Sequence, residues 1–170
     1  MPPDFAAHAG GNSINQSRMK VLEIHISPGH NFFGHYGSPS GKHPTVLVAD
    51  VECVAGQGLR GDRFFGHQEN YKGQVTFFSV EVYRGLCEHL NIRNKEPKVL
   101  RRNVLTSGIN LNSLVGEEFD LQGIRFAGVA ECSPCFWMNE AFGPGAEDYL
   151  RGRGGLRARI LTSGLLRVDP

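Results

Sequence analysis

The chain has 170 residues, with 18 Lys and Arg against 17 Asp and Glu, a formal charge of +1. That length predicts one domain, able to bury about 70% of its unfolded surface without staples. The near balance of charge excludes binding to nucleic acid or an acidic membrane through bulk electrostatics, so any anion site must be local. No apolar run approaches the roughly 20 residues of a membrane helix, and residues 1 to 19 lack the apolar core of a secretory signal, so a soluble, cytoplasmic protein is expected. Four cysteines (Cys53, Cys87, Cys132 and Cys135) are too sparse for a disulfide scaffold and fit a reducing compartment. The 22 glycines imply many tight turns between short strands.

Residues 1 to 19 mix Pro, Gly, Asn and Ser without an apolar period and predict a disordered tail, leaving 20 to 170 as the domain. Lys20 to Ile26 alternates as a first strand. Ser27 to Pro44 is a long loop carrying His30, His35 and His43, and loops of that length in a compact domain are usually functional or mobile. Thr45 to Cys53 reads as a second strand. Gly56 to Arg63 follows, with three glycines and two arginines in eight residues. Converging backbone N–H groups and arginine forks would grip an anion there, and a turn with solvated arginines is the equal alternative. Asp62 in this turn either orients an arginine, moves a proton, or serves the turn alone.

Gln74 to Phe78 is a short strand, and Ser79 caps a helix whose apolar stripe runs through Val82, Tyr83, Leu86, Cys87 and Leu90. Cys87 is thereby expected in the core. Strand-like Val-Leu pairs flank Arg101-Arg102-Asn103, and a short turn or helix spans Asn110 to Leu114. Residues 118 to 130 form a hairpin turning at Gln122-Gly123. Beyond Cys135 come a loop, a brief helix over Ala146 to Leu150, a second glycine and arginine loop at 151 to 155, and strands over Arg157 to Thr162 and Leu165 to Val168. Six to eight short strands against two or three helices predict a mainly β fold, closed or partly open as a barrel.

The segment Ala130 to Trp137, AECSPCFW, holds the candidate reactive atom. A Ser-Pro turn takes Cys135 out of the sheet, because proline fixes its own φ and holds the preceding residue extended. The thiol is then displayed at a strand end, where arginines would raise its thiolate fraction. Cys132 and Cys135 make one CxxC. A structural zinc site needs two more ligands that no spacing names, and a thioredoxin-type pair belongs at a helix start in a βαβ unit, not after a hairpin. His30, His35, His43 and His67 have no fixed spacing, and solvated or hydrogen-bonding roles are favoured over metal ligation. Whether Arg151, Arg153 and Arg157 line an anion site or face water is open.

The order Gly-Leu-Arg-Gly-Asp-Arg at 58 to 63, Arg101-Arg102-Asn103 with Gly108, Leu114-Val115-Gly116, Ser133-Pro134-Cys135 and Gly-Arg-Gly-Gly at 152 to 155 resembles the MOSC domain over residues 20 to 168. That domain ends the molybdenum cofactor sulfurases and also stands alone in small bacterial proteins, to which the chain looks most similar. The resemblance implies a barrel-like β fold and a pterin molybdenum cofactor with Cys135 as the metal ligand, a soft thiolate suiting that metal. It further implies cofactor contacts from Arg101, Asn103 and Ser133, with Arg63 a candidate for its phosphate. A reductase of N-hydroxylated compounds is then the expected activity, acting on a small-molecule substrate, with electrons from a separate reductase protein because no flavin or dinucleotide fingerprint occurs. A sulfur-carrier or cofactor-delivery module with a Cys135 persulfide is the alternative. The pyridoxal-phosphate half of the sulfurases has no counterpart in the chain, so autonomous cysteine desulfuration is not expected.

Overall fold

The computed structural model describes residues 18–32 and 38–170. The expected tail falls, save for Arg18 and Met19, outside the described residues, as does His35. Ten strands form two sheets: β1 Lys20–Ile26, β2 Val46–Val48, β3 Asp50–Val54, β4 Gly58–Leu59, β5 Val75–Ser79, β6 Val104–Ser107, β7 Glu118–Leu121, β8 Ile124–Glu131, β9 Leu156–Ile160 and β10 Gly164–Arg167. The larger sheet runs β2-β1-β6-β5-β9-β8-β7 and the smaller β10-β3-β4. The fold is mainly β, as expected. The barrel is not confirmed, because the strand pairings among the described residues leave β2 and β7 as separate edges of the larger sheet.

Only β5 and β6 pair in parallel within the larger sheet. A parallel pair cannot be joined by a tight turn. The crossover is supplied by α1, Val80–Leu90, and a 3-10 turn over Pro97–Leu100. Ser79 starts α1 by accepting from the Val82 N–H at 3.2 Å, and Asn91 ends it in the left-handed region at φ 53°. The crossover therefore delivers Arg101, Arg102 and Asn103 to the head of β6, beside β5. The strand expected over residues 98 to 100 is this 3-10 turn, because Pro97 suits a first helical turn and has no N–H for a ladder.

Period-two alternation separates two cores. Phe77 on β5 meets Phe119 and Phe126 edge-on, with centroids 5.7 and 5.4 Å apart. That cluster also takes Val51, Cys53, Leu59 and Leu166, so the small sheet packs onto the same face. Phe78, one residue on, points to the other face, where it joins Leu86, Leu105, Phe142 and Leu150 under the helices. Cys87 packs partly buried against this second cluster. Its place on the apolar stripe agrees with expectation.

The expected strand over 45 to 53 is two strands: β2 pairs with β1, and after Ala49 the chain crosses to the small sheet as β3. The 118 to 130 hairpin turns at Gln122 and Gly123, both at positive φ (52° and 79°), as a two-residue primed turn requires. Gln122 tolerates this because its amide brackets Arg167, donating to the carbonyl and accepting from the N–H at 2.8 Å each. The FWMN stretch expected as loop is instead α2, Trp137–Ala141; with five residues it has no period to read. The brief helix over 146 to 150 is present as α3, Ala146–Leu150. No helix among the described residues is long and apolar enough to cross a membrane.

Two substitutions measure these elements separately. Phe77→Ala should cost about 3–5 kcal/mol in urea unfolding, since it leaves a cavity under both sheets. Ser79→Ala should cost about 1 kcal/mol by the same measurement, through loss of the α1 cap alone.

Candidate functional site

A cleft of about 180 Å³ opens beside the ends of β5, β6, β8 and β9. Cys135 lies on its wall with Ser133 and Cys132, and four guanidinium groups face it: Arg63, Arg101, Arg102 and Arg157. Among the described residues no carboxylate lines it. The site is thus cationic in a protein of almost zero net charge.

The thiols differ. Cys135 is exposed and Cys132 buried. Pro134 and α2 explain the difference: β8 ends at Glu131, the chain turns through Ser133-Pro134, and the Cys135 carbonyl then accepts from the Met138 N–H at 2.9 Å as α2 begins. Cys132 remains pinned to the sheet, its N–H donating to the Gly155 carbonyl at 2.7 Å. Arg157 stands against the Cys132 sulfur. Burial pulls its pKa down, but the hydrogen bond and charge of that sulfur outweigh burial and raise it.

Arg101 and Arg102 are held by neutral oxygens. Arg101 adopts a left-handed backbone (φ 56°) at the end of the 3-10 turn, where a residue other than glycine is strained. Its side chain donates to the Ser27 hydroxyl (2.9 Å), the Gly29 carbonyl (2.6 Å), the Thr45 hydroxyl (3.1 Å) and the His43 carbonyl (3.3 Å). Both ends of the long loop after β1 are therefore tied to one guanidinium. Burial, with Arg63 nearby, draws the Arg101 pKa down to about 10, which leaves it charged at neutral pH. Arg102 donates to the carbonyls of Gly154, Leu100 and Cys132 at 3.0 to 3.2 Å. It joins the second glycine and arginine loop to the cysteine turn.

Arg63 lies over the Phe64 ring, 4.7 Å from its centroid, and donates to the Arg101 carbonyl and to Asp62 at 3.2 Å each. Burial is the main cause that lowers its pKa, and Arg102 adds to it against the opposing charge of Asp62. Asp62 is buried behind the wall and does not line the cleft. Its carboxylate accepts from the Ser27 and Phe64 N–H groups as well as from Arg63. Glu131, the other nearby acid, accepts from the Gly154 N–H at 3.1 Å.

Asn103 is likewise set back. Its side-chain oxygen accepts from the Thr76 N–H and hydroxyl at 3.0 Å each, and its amide donates to the His25 carbonyl at 3.1 Å. It stitches β5, β6 and β1 together and is not on the cleft wall. Of Arg151, Arg153 and Arg157, only Arg157, on β9, lines the cleft: Arg151 pairs with Asp148 at 3.3 Å, and Arg153 covers the Tyr149 ring.

Several lining groups carried no signal in the sequence. Arg102 and Arg157 lie in strand-end positions that read equally well as solvated. Phe32, Phe64, Tyr71 and Trp137 read as ordinary apolar residues, yet Phe32 stacks on Trp137 (5.3 Å) and Phe64 on Tyr71 (5.3 Å) at the cleft. His30 and His67 belong to the same aromatic group, with ring centroids 6.1 Å apart. Among the described residues no cluster of three or more His, Cys, Asp or Glu could hold a metal ion. The structural zinc alternative therefore finds no ligand set there.

What this donor set fits is an anion that brings a soft metal with it. An exposed thiolate supplies one soft ligand, and arginine forks supply charge-assisted donors for phosphate. A metal that carries its other ligands on an organic group needs no protein cluster, and the residues present match that requirement.

The fold is shared with solved bacterial proteins. YuaD from Bacillus subtilis superposes with a TM-score of 0.71 at 18% identity, over 88% of this chain and 91% of that one. YiiM from Geobacillus stearothermophilus gives 0.62 at 14% identity, over 88% and 71%. YiiM from Escherichia coli gives 0.59 at 16%, over 84% and 66%. No curated protein sequence matches the chain. The MOSC domain family model matches residues 24–169, which includes the arginine turn, the head of β6 and the cysteine turn, and the chain belongs to the MOSC domain family.

Proposed function

We propose that the protein is a molybdenum-cofactor oxidoreductase that reduces N-hydroxylated compounds, with Cys135 as the protein ligand of the metal and electrons delivered by a separate reductase protein. The observation that carries this reading is an exposed thiol on the wall of a cleft with four guanidinium groups and, among the described residues, no carboxylate. Membership of a family associated with the molybdenum cofactor supports the choice of anion.

The cofactor, when bound, supplies the redox centre. The chain supplies position and charge. Cys135, at the end of a proline-fixed turn, presents its sulfur without desolvation. Arg157 has a guanidinium that meets the Cys132 sulfur and, among the described residues, no protein oxygen, so its remaining donors can serve a phosphate. Arg63 and Arg101 add charge to the same cleft, and Ser133, two residues before the thiol, offers a hydroxyl. Asn103 acts at one remove, by fixing the β6 head from which Arg101 and Arg102 project. Asp62 orients Arg63 and the Ser27 amide and is a positioning residue.

A second reading follows from the exposure of Cys135: such a thiol is also open to a partner and could carry a persulfide, as in a sulfur carrier or cofactor-delivery module. The two readings part on metal content. Protein from a cofactor-competent host should contain stoichiometric molybdenum and pterin, and Cys135→Ala should lose both while its unfolding free energy stays within about 0.5 kcal/mol of wild type, as for exposed substitutions generally. Wild-type protein free of molybdenum, with sulfane sulfur on Cys135, would establish the carrier reading instead.

Asp62→Asn keeps the shape but weakens three hydrogen bonds to a buried carboxylate. Stability should fall by about 1–3 kcal/mol, with cofactor content falling in parallel. Normal metal content with turnover abolished would move Asp62 from positioning to proton transfer.

A further inference from the structure

Reduction of an N-hydroxy group consumes protons as well as electrons: R–NH–OH + 2e⁻ + 2H⁺ gives R–NH₂ + H₂O. The cleft must therefore contain or reach a proton donor. Among the described residues its lining has arginines, cysteines, a tyrosine, small polar and apolar groups and a single imidazole, that of His30. No described carboxylate joins them, since Asp62 and Glu131 are turned to backbone amides. Imidazole is the side chain whose ordinary pKa allows exchange near neutral pH.

We propose that His30 donates a proton to the departing oxygen of the substrate in this cleft. The inference rests on the reductase reading above. As the N–O bond breaks, its electron pair goes to the hydroxyl oxygen, which takes the imidazolium proton and leaves as water. The amine nitrogen takes the second proton from solvent. The two electrons come from the partner reductase protein.

The geometry prepares His30 for this. Its neighbours are pinned: Gly29 by Arg101, and Asn31 by a reciprocal pair of bonds with the His43 backbone at 2.7 and 2.9 Å. The ring is edge-on to Phe64 at 4.9 Å, with its interplanar angle at 80°. His67, which is exposed, stands 6.1 Å away and packs on Tyr71 at 4.8 Å. His30 is itself partly exposed, so solvent can reprotonate it at the cleft.

Charge regulates the step. Burial lowers the His30 pKa below its ordinary value, and Arg63, His67 and Arg101 lower it further against the single opposing charge of Asp62. In the empty cleft His30 is mostly neutral at pH 7. An anion bound among Arg63, Arg101 and Arg157 offsets the repelling charges and raises the protonated fraction, so the donor is charged when the site is filled.

Two measurements test this. In the protein without cofactor, the His30 imidazole is followed by NMR against pH with and without inorganic phosphate. Its midpoint should rise by about half a unit or more with phosphate, while that of His89, on α1 and off the cleft wall, stays put. No movement of the His30 midpoint overturns the charge coupling. In the holoprotein with its electron donor and an N-hydroxylated substrate, His30→Gln should lower kcat by about 10²-fold. KM and molybdenum content should be unchanged, and the alkaline fall of kcat assigned to His30 should disappear. Wild-type kcat with that fall intact in His30→Gln overturns the donor role alone. A wild-type holoprotein that contains molybdenum but does not turn over defeats the reductase reading, and the donor role with it.

Discussion

Four guanidinium groups share one cleft with no carboxylate in its described lining, and for Arg101 and Arg102 this is possible because their hydrogen bonds end on neutral oxygens. Backbone carbonyls and hydroxyls satisfy the donors of Arg101 and Arg102 without cancelling their charge. A carboxylate would hold an arginine as firmly, but it would leave nothing for an anion to complete. The cost is the burial of charge, to which repulsion among the like charges adds, and both pull the Arg63 and Arg101 pKa values down. Asp62, behind the wall and bonded to Arg63, is the one counter-charge that keeps the arrangement from being unpaired.

The same bonds hold the site together mechanically. Arg101 gathers the loop after β1, and Arg102 gathers the 152 to 155 loop and the cysteine turn. Both arginines start from the head of β6, fixed in turn by Asn103 to β5 and β1. The chain of support runs from the sheet, through one buried amide, to two arginines and then to three loops that carry Ser27, Gly154 and Cys132. Loops with little structure of their own are positioned by side chains from a rigid element.

How much of this the sequence carried depends on what each residue does locally. The α1 cap at Ser79 and the hairpin turn at Gln122-Gly123 are set by short-range chemistry and were legible. Cys135 was legible as a displayed thiol because proline leaves its preceding residue few choices. The split of 45 to 53 at Ala49 was not legible: valines recur in both halves, and only tertiary pairing assigns them to different sheets. Arg157 was left open between an anion site and solvent, and His30 read as a solvated or hydrogen-bonding loop histidine, for a related reason. Nothing within ten residues of either reveals that the fold brings them to one wall, whereas Arg101 and Asn103 were found through a resemblance of motif order. That resemblance could name Asn103 but not say that it faces the sheet.

The position of β9 has a consequence for the life of the chain on the ribosome. Leu156–Ile160 is inserted between β5 and β8, and Arg157 comes with it to the cleft. Until these residues leave the exit tunnel, β5 and β8 have no shared partner and the phenylalanine cluster beneath them lacks Leu156, Ala158 and Ile160. Non-local pairing of this kind delays folding until β9 has emerged. A nascent chain therefore presents the cysteine turn before it has Arg157, and the cationic cleft is complete only once β9 has paired with β5 and β8.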